Sequence, residues 1–247
     1  MKDLGEAAYV LGIKIYTDRS RRLIGLSQTI YLDKVLKKFK MDQSKKGFLR
    51  VLQGIKLSKT QCPATAEDRE QMSSLPCASA VGSFMYAMLC TRTDVSLAIS
   101  MAGRFQSNPR MDHWMAVKNI LKYLKRTKEM FHVYGGDKEL VVKGYVDASF
   151  DTDPDDSKSQ TGYVFILYGG AVSWCSSKQS VVADSTCEAE YMAASEAAKQ
   201  GVWMKQFMTD LGVVSSALDP LTLLCDNTGA IALAKEPRFH KKTRHIK

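Results

Sequence analysis

Hydrophobic spacing divides the chain near residue 140: upstream, apolar residues recur mostly at three and four positions, and downstream they gather in short runs of Val, Tyr, Phe and Ile. The first segments, "AYVLGIKIY" and "RRLIGLSQ", flank "TDRS" and predict a hairpin. In "TIYLDKVLKKFKM" a predicted helix sets Tyr31, Val35, Leu36 and Phe39 on one side and Lys34, Lys37, Lys38 and Lys40 on the other. Residues 42–76 lack sustained periodicity and carry Gly47, Gly54, Pro63 and Pro76, which reads as an extended connector. "ASAVGSFMYAMLC" and "DVSLAISMAGRFQ" then predict two helices broken near "TRTD". In "DHWMAVKNILKYLKRTKEM" Asp112 is the expected N-cap and Trp114, Val117, Leu121 and Leu124 the expected buried stripe.

Beyond residue 140, "LVVKGYVDASF", "TGYVFILYGG" and "AVSWCSSKQ" predict three consecutive strands, the last two joined by a tight turn at "YGG". A long helix follows, capped by Asp184 or Ser185 and stopped by Gly212. "LTLLCD" is a short apolar strand and "NTGAIALAK" a short helix. Three strands, helix, strand, helix is an α/β order on a mixed sheet.

Charge sharpens this division. Residues 1–140 hold 24 Lys and Arg against 13 Asp and Glu, a net +11, while residues 141–247 hold 11 against 13, a net −2. A basic half joined to a mildly acidic half suits a polyanion-binding part beside a part that works through carboxylates, although a solvated basic surface gives the same count. Lys118, Lys122, Lys125, Arg126 and Lys128 make the helix after Asp112 the best candidate to lie along a nucleic-acid backbone. No apolar run approaches the roughly 20 residues of a membrane span, and the N-terminus lacks a signal-peptide pattern, so no membrane partner and an intracellular location are expected. The six cysteines are scattered without a CxxC pair, which favours reduced thiols with a packing role.

Asp147 inside a Val- and Tyr-containing strand, Glu190 in the opening turns of the long helix, and Asp226 closing "LLCD" are the candidate chemistry. With the Asp147 strand central, "LTLLCD" beside it and the helix across one face, the three carboxylates would converge at one sheet edge. They would then share a proton or bind a divalent cation. Oxygen donors without His or Cys favour Mg²⁺ or Mn²⁺, and two such ions about 4 Å apart serve phosphodiester hydrolysis. Each acid also has a plainer reading: a frayed edge for Asp147, dipole compensation for Glu190, and a cap on the next helix for Asp226.

The ordered blocks "GYVDASFDTDPDDSKSQTGYVF", "AVSWCSSKQSVVADSTCEAEYMAASEA" and "LCDNTGAIALAKEPRFHKKTRHI" resemble the ribonuclease H domain of a copia-type long-terminal-repeat retrotransposon Pol polyprotein. "AYVLGIKI", "LSQTIYLDKVLKKFKM" and the stretch from "VGSFMY" to "LKRTKEM" resemble the end of its reverse transcriptase palm, the thumb and the connection. The resemblance implies a mainly helical thumb/connection-like region over 1–138, opened by the hairpin, and a ribonuclease H-like mixed sheet with flanking helices over 139–247. It implies that Asp147, Glu190 and Asp226 are catalytic, metal-binding acids, with Glu188 the alternative on the helix, holding two Mg²⁺ or Mn²⁺ ions. Arg238, His240, Lys242, Arg244 and His245 would face the nucleic acid, with Lys118, Lys122 and Arg126.

The implied activity is hydrolysis of the RNA strand of RNA·DNA hybrids, in a virus-like particle or the nucleus. The paired-aspartate polymerase motif is absent from this chain. The resemblance also places the fourth acid and the final strand beyond "RHIK", so the rest of Pol or a partner chain is expected to complete the fold. Thr93 and Arg50 stand where relatives commonly have Pro. The alternative is a nucleic-acid-binding remnant without turnover; an integrase or resolvase is disfavoured, because integrases place their glutamate last.

Overall fold

A computed structural model describes residues 5–49, 57–136, 140–212 and 220–236 of the chain. These form two units, Met1–Gly135 and Gly136–Lys247, each a mixture of helices and one sheet.

In the first unit the hairpin consists of β2 (Ile13–Asp18) and β3 (Leu23–Ser27), with β1 (Tyr9–Val10) on its outer side. Its turn is held by Asp18, whose Oδ1 accepts from Ser20 Oγ at 2.6 Å and from the Arg21 amide at 3.1 Å. One strand was not expected: β4 (His132–Tyr134) pairs antiparallel with β3 and completes a four-stranded sheet in the order β1-β2-β3-β4. Three residues are too short to show alternation, and β4 is defined by a partner about a hundred positions away.

Helix α1 (Thr29–Lys38) buries Leu32, Val35 and Leu36 and keeps its lysines outside, with Tyr31 and Phe39 at the margin of the core. The predicted connector contains a helix after all, α2 (Ala66–Ser73), capped by Thr65 Oγ1 on the Asp68 amide at 3.1 Å. It buries none of its residues, so it has no apolar stripe for periodicity to detect. Helices α3 (Cys77–Cys90) and α4 (Ser96–Gly103) are separated at the expected break by a 3₁₀ turn, Thr93–Val95. Helix α5 (Met111–Thr127) starts two residues earlier than expected: Arg110 is its N-cap in place of Asp112, which lies in the first turn, where it complements the dipole. Its buried face is His113, Ala116, Val117, Ile120, Leu121 and Leu124, with Trp114 only half-buried. The core joins this face to Val81 and Phe84 of α3 and to Val95 and Ile99.

In the second unit β5 (Lys143–Ser149), β6 (Gln160–Leu167) and β7 (Gly170–Lys178) are an antiparallel meander. Tyr168 and Gly169 turn β6 into β7 with φ of 52° and 76°, the two positive values that a tight two-residue hairpin turn requires. The short β8 (Thr222–Leu224) pairs parallel with β5, giving the order β7-β6-β5-β8 with β5 inside. The long helix α6 (Thr186–Leu211) is capped by Ser185, whose Oγ accepts from the Glu188 amide, and stopped by Gly212 at φ 65°. It packs Ala193, Ala197, Met204 and Met208 against Val142, Val146 and Phe165 of the sheet. Gly144 makes room for side chains of its neighbouring strands beneath the helix: a Cβ there would sit 2.6 Å from the Phe165 ring and 2.8 Å from Leu223. Helix α7 (Thr228–Lys235) follows β8, and a Cβ at its Gly229 would lie 2.9 Å from Cys187 Sγ on α6.

Candidate metal centre

The parallel pairing of β5 with β8 fixes the first relation between the acids. Tyr145 pairs with Leu224, so Asp147 and Asp226 each lie two residues beyond the last pair, at the same end of adjacent strands. Asp226 is not the cap of α7. That role belongs to Asn227, whose Oδ1 accepts from the Ala230 amide at 3.0 Å, and the Asp226 carboxylate stays exposed.

Helix α6 brings the third acid. Glu190 is only 7 % exposed, and its Oε1 accepts from the Ala148 amide on β5 at 3.1 Å. Its Oε2 is buried without a hydrogen-bond donor. The Asp147 carboxyl is close enough to Glu190 to share a proton, and two ionised carboxylates can offer one another nothing else. Burial pushes the Glu190 carboxyl above its usual range, the Ala148 amide opposes this, and the charges of Asp147 and Asp226 add to the rise. The other helix glutamate is differently employed. Glu188 Oε2 accepts from the Asp184 amide at 2.7 Å while its own amide donates to Ser185 Oγ, so both groups serve the helix start.

Other acids of the unit are neutralised nearby. Asp153 and Asp156, in the β5–β6 loop, both bind Lys178 Nζ at 2.7 Å. Among the described residues no lysine, arginine or histidine pairs with Asp147, Glu190 or Asp226. Glu190 and Asp226 bring oxygens within 4.8 Å of one another, while Asp147 lies beside Glu190 but outside that group; with the bare Glu190 oxygen, this donor set is compatible with a hard divalent cation. Mg²⁺ or Mn²⁺ would take its ligands from Asp147, Glu190 and Asp226.

Sequence reasoning treated Cys225 as a packing thiol, and the structure gives it a further place. One donor atom each from Glu190, Cys225 and Asp226 lie within 4.8 Å of one another. Burial raises the thiol pKa, its contact with the Asn227 amide lowers it, and the charges of Glu190, Asp226 and Asp147 raise it further. Direct adjacency to Asp226 at a strand end was the available signal, and it could not give the direction of Sγ.

The basic candidates on α5 belong to the first unit, and several are engaged within it. The Arg126 guanidinium lies over the Phe48 ring, 3.7 Å from its centroid. Lys122 accepts the Gly47 amide on its backbone carbonyl at 3.1 Å, and a Cβ at Gly47 would meet Lys122 Cβ at 2.9 Å. Lys125 Nζ donates to the Ser44 carbonyl, and Lys128 Nζ binds Asp33 at 2.8 Å. Lys118 is half-buried. Segment 44–48 therefore covers part of the face expected to be open. Arg238, His240, Lys242, Arg244 and His245 lie outside the described residues.

No family model and no solved structure matches the chain. Among curated proteins it is 44 % identical over 246 residues to the retrovirus-related Pol polyprotein from transposon TNT 1-94 of Nicotiana tabacum, covering all of this chain and 18 % of that protein. It is 31 % identical over 246 residues to the retrovirus-related Pol polyprotein from transposon RE1 of Arabidopsis thaliana, again over the whole chain and 16 % of the relative. A secreted RxLR effector protein of Plasmopara viticola is 43 % identical over 135 residues, 54 % of this chain and 94 % of that one. The chain thus spans less than a fifth of the Pol polyproteins that it matches end to end. A similarity that runs through both units identifies it as a segment of a copia-type retrotransposon Pol polyprotein, and it belongs to that family.

Proposed function

We propose that the second unit is a ribonuclease H-like module that hydrolyses the RNA strand of RNA·DNA hybrids. The observation that carries this reading is Glu190, its Oε2 buried and undonated, beside Asp147 and within 4.8 Å of an Asp226 oxygen at the end of the parallel β5–β8 pair.

Bound Mg²⁺ or Mn²⁺ would supply the positive charge that activates a water and stabilises the leaving oxygen of a phosphodiester. The residues have distinct tasks. Asp147 and Asp226, exposed at the sheet end, would hold the cation where a phosphate can approach it. Glu190, tied to the Ala148 amide, is held from behind, so its free oxygen points into the cluster without losing side-chain freedom on binding. Selection of RNA would come from 2′-hydroxyl contacts in a wide minor groove rather than from base reading.

A labelled RNA·DNA hybrid incubated with the chain and Mg²⁺ or Mn²⁺ tests this. Cleavage of the RNA strand, lost in Asp147→Asn and in Glu190→Gln, is the expected result. The second reading is a hybrid-binding remnant without turnover. It predicts salt-sensitive binding without cleavage.

A further inference from the structure

Cys225 introduces a chemistry that an all-oxygen site lacks. It follows β8 directly, is half-buried, and places Sγ within 4.8 Å of a carboxylate oxygen of Glu190 and of Asp226, with those two oxygens equally close to each other. Donors around one tetrahedral ion stand roughly 3.5 Å apart, given metal–oxygen and metal–sulfur bonds of about 2.0 to 2.3 Å. Contraction of the triangle by about 1 Å would therefore be sufficient, within reach of small side-chain rotations at the exposed Asp226 and the half-buried Cys225. Independently, Glu190 is more than nine-tenths buried and its Oε2 has no hydrogen-bond donor. A buried acceptor in that state requires either a proton or a cation. Hard ions such as Mg²⁺ ignore sulfur, whereas Zn²⁺ and Cd²⁺ gain strongly from a thiolate donor.

We propose that Glu190, Cys225 and Asp226 form a mixed thiolate–carboxylate site for a thiophilic divalent cation, Zn²⁺ or Cd²⁺. Binding releases the thiol proton to solvent and seats the cation on two of the three acids that the proposed reaction requires. The consequence for turnover rests on the ribonuclease H reading: soft and hard ions exclude one another, so thiophilic ions arrest cleavage. The site itself does not depend on that reading.

The test is a Cd²⁺ titration of the reduced 247-residue chain, following the ultraviolet thiolate-to-cadmium charge-transfer band and, in parallel, the cadmium NMR shift. The expected result is one band, saturating at one equivalent, with a shift in the range for a single sulfur ligand. Cys225→Ser should abolish the band and weaken Cd²⁺ binding by on the order of 10-fold or more, far beyond any change in Mn²⁺ affinity. Glu190→Gln should weaken Cd²⁺ binding while leaving a sulfur-shifted resonance. A band that persists in Cys225→Ser would assign the ion to another cysteine and overturn the proposal, as would an all-oxygen cadmium shift in the unaltered chain, a readout that needs no variant to fold. A chain that cleaves hybrid in Mg²⁺ without the band refutes this inference alone, and one that shows the band but never cleaves refutes the ribonuclease reading alone.

Discussion

Replacing Glu190 by glutamine separates what the carboxylate contributes to a reaction from what it does to the fold. The glutamine keeps an Oε1 acceptor for the Ala148 amide and removes a buried charge facing Asp147 and Asp226. Cleavage should disappear, while thermal stability at neutral pH should rise by roughly 0.5–2 kcal/mol, the usual trade at a site built of like charges. Scanning calorimetry without divalent ions measures the gain, and added Mg²⁺ should stabilise the unaltered chain but not the variant. Asn227 gives the complementary case. Its side chain caps α7, so Asn227→Ala should cost about 1 kcal/mol, measured by chemical denaturation, and should loosen Asp226 without removing any acid.

At the scale of elements, the site depends on how closely α6 approaches the sheet. Gly144 sits where Phe165 and Leu223 would collide with any Cβ, and Gly201 on α6 faces the same Phe165 ring at ordinary contact distance. Gly144→Ala should therefore destabilise the second unit by about 1–3 kcal/mol. Because the shift separates α6 from β5, it should also weaken Mn²⁺ binding, read by equilibrium dialysis, although Gly144 touches no acid. Sequence patterning located α6 and its two ends because Ser185 and Gly212 are strong local signals. It missed α2 and β4, where the defining interactions are a solvent-facing cap and a distant strand.

On the scale of the whole chain, Asp94 in the first unit and Glu190 in the second should respond to acid with opposite sign. In the first, burial pushes the Asp94 carboxyl up, but its paired bonds from Arg92 at 2.7 and 2.9 Å outweigh this and hold it below its ordinary value. A depressed carboxyl stabilises the fold above its unfolded pKa of about 3.9 and loses that contribution as pH falls through the folded value. Glu190 is raised, so the second unit gains stability as pH falls through the raised folded pKa, fully so below the unfolded value of about 4.3. Hydrogen exchange across an acid series should show Asp94→Asn lessening the acid loss of protection in the first unit and Glu190→Gln flattening the Glu190-linked gain in the second; an unchanged pH profile in either variant would contradict this. No single helix among the described residues is long and apolar enough to cross a membrane.

The sequence by itself determined the order of most elements, the Gly212 stop of the long helix and the three acids worth naming, because periodicity, capping chemistry and an aspartate in an apolar strand are local properties of the chain. It left Glu188 and Glu190 as rivals two residues apart, and it left open whether Asp226 was a cap. Tertiary structure decided both: only packing shows that Glu188 is spent on the Asp184 amide, that Asn227 takes the cap, and that Glu190 and Asp226 draw Cys225 into their corner. The physical reason is that a side chain's partners are set by strand register and helix placement. These are interactions between segments tens of residues apart, which no local window contains.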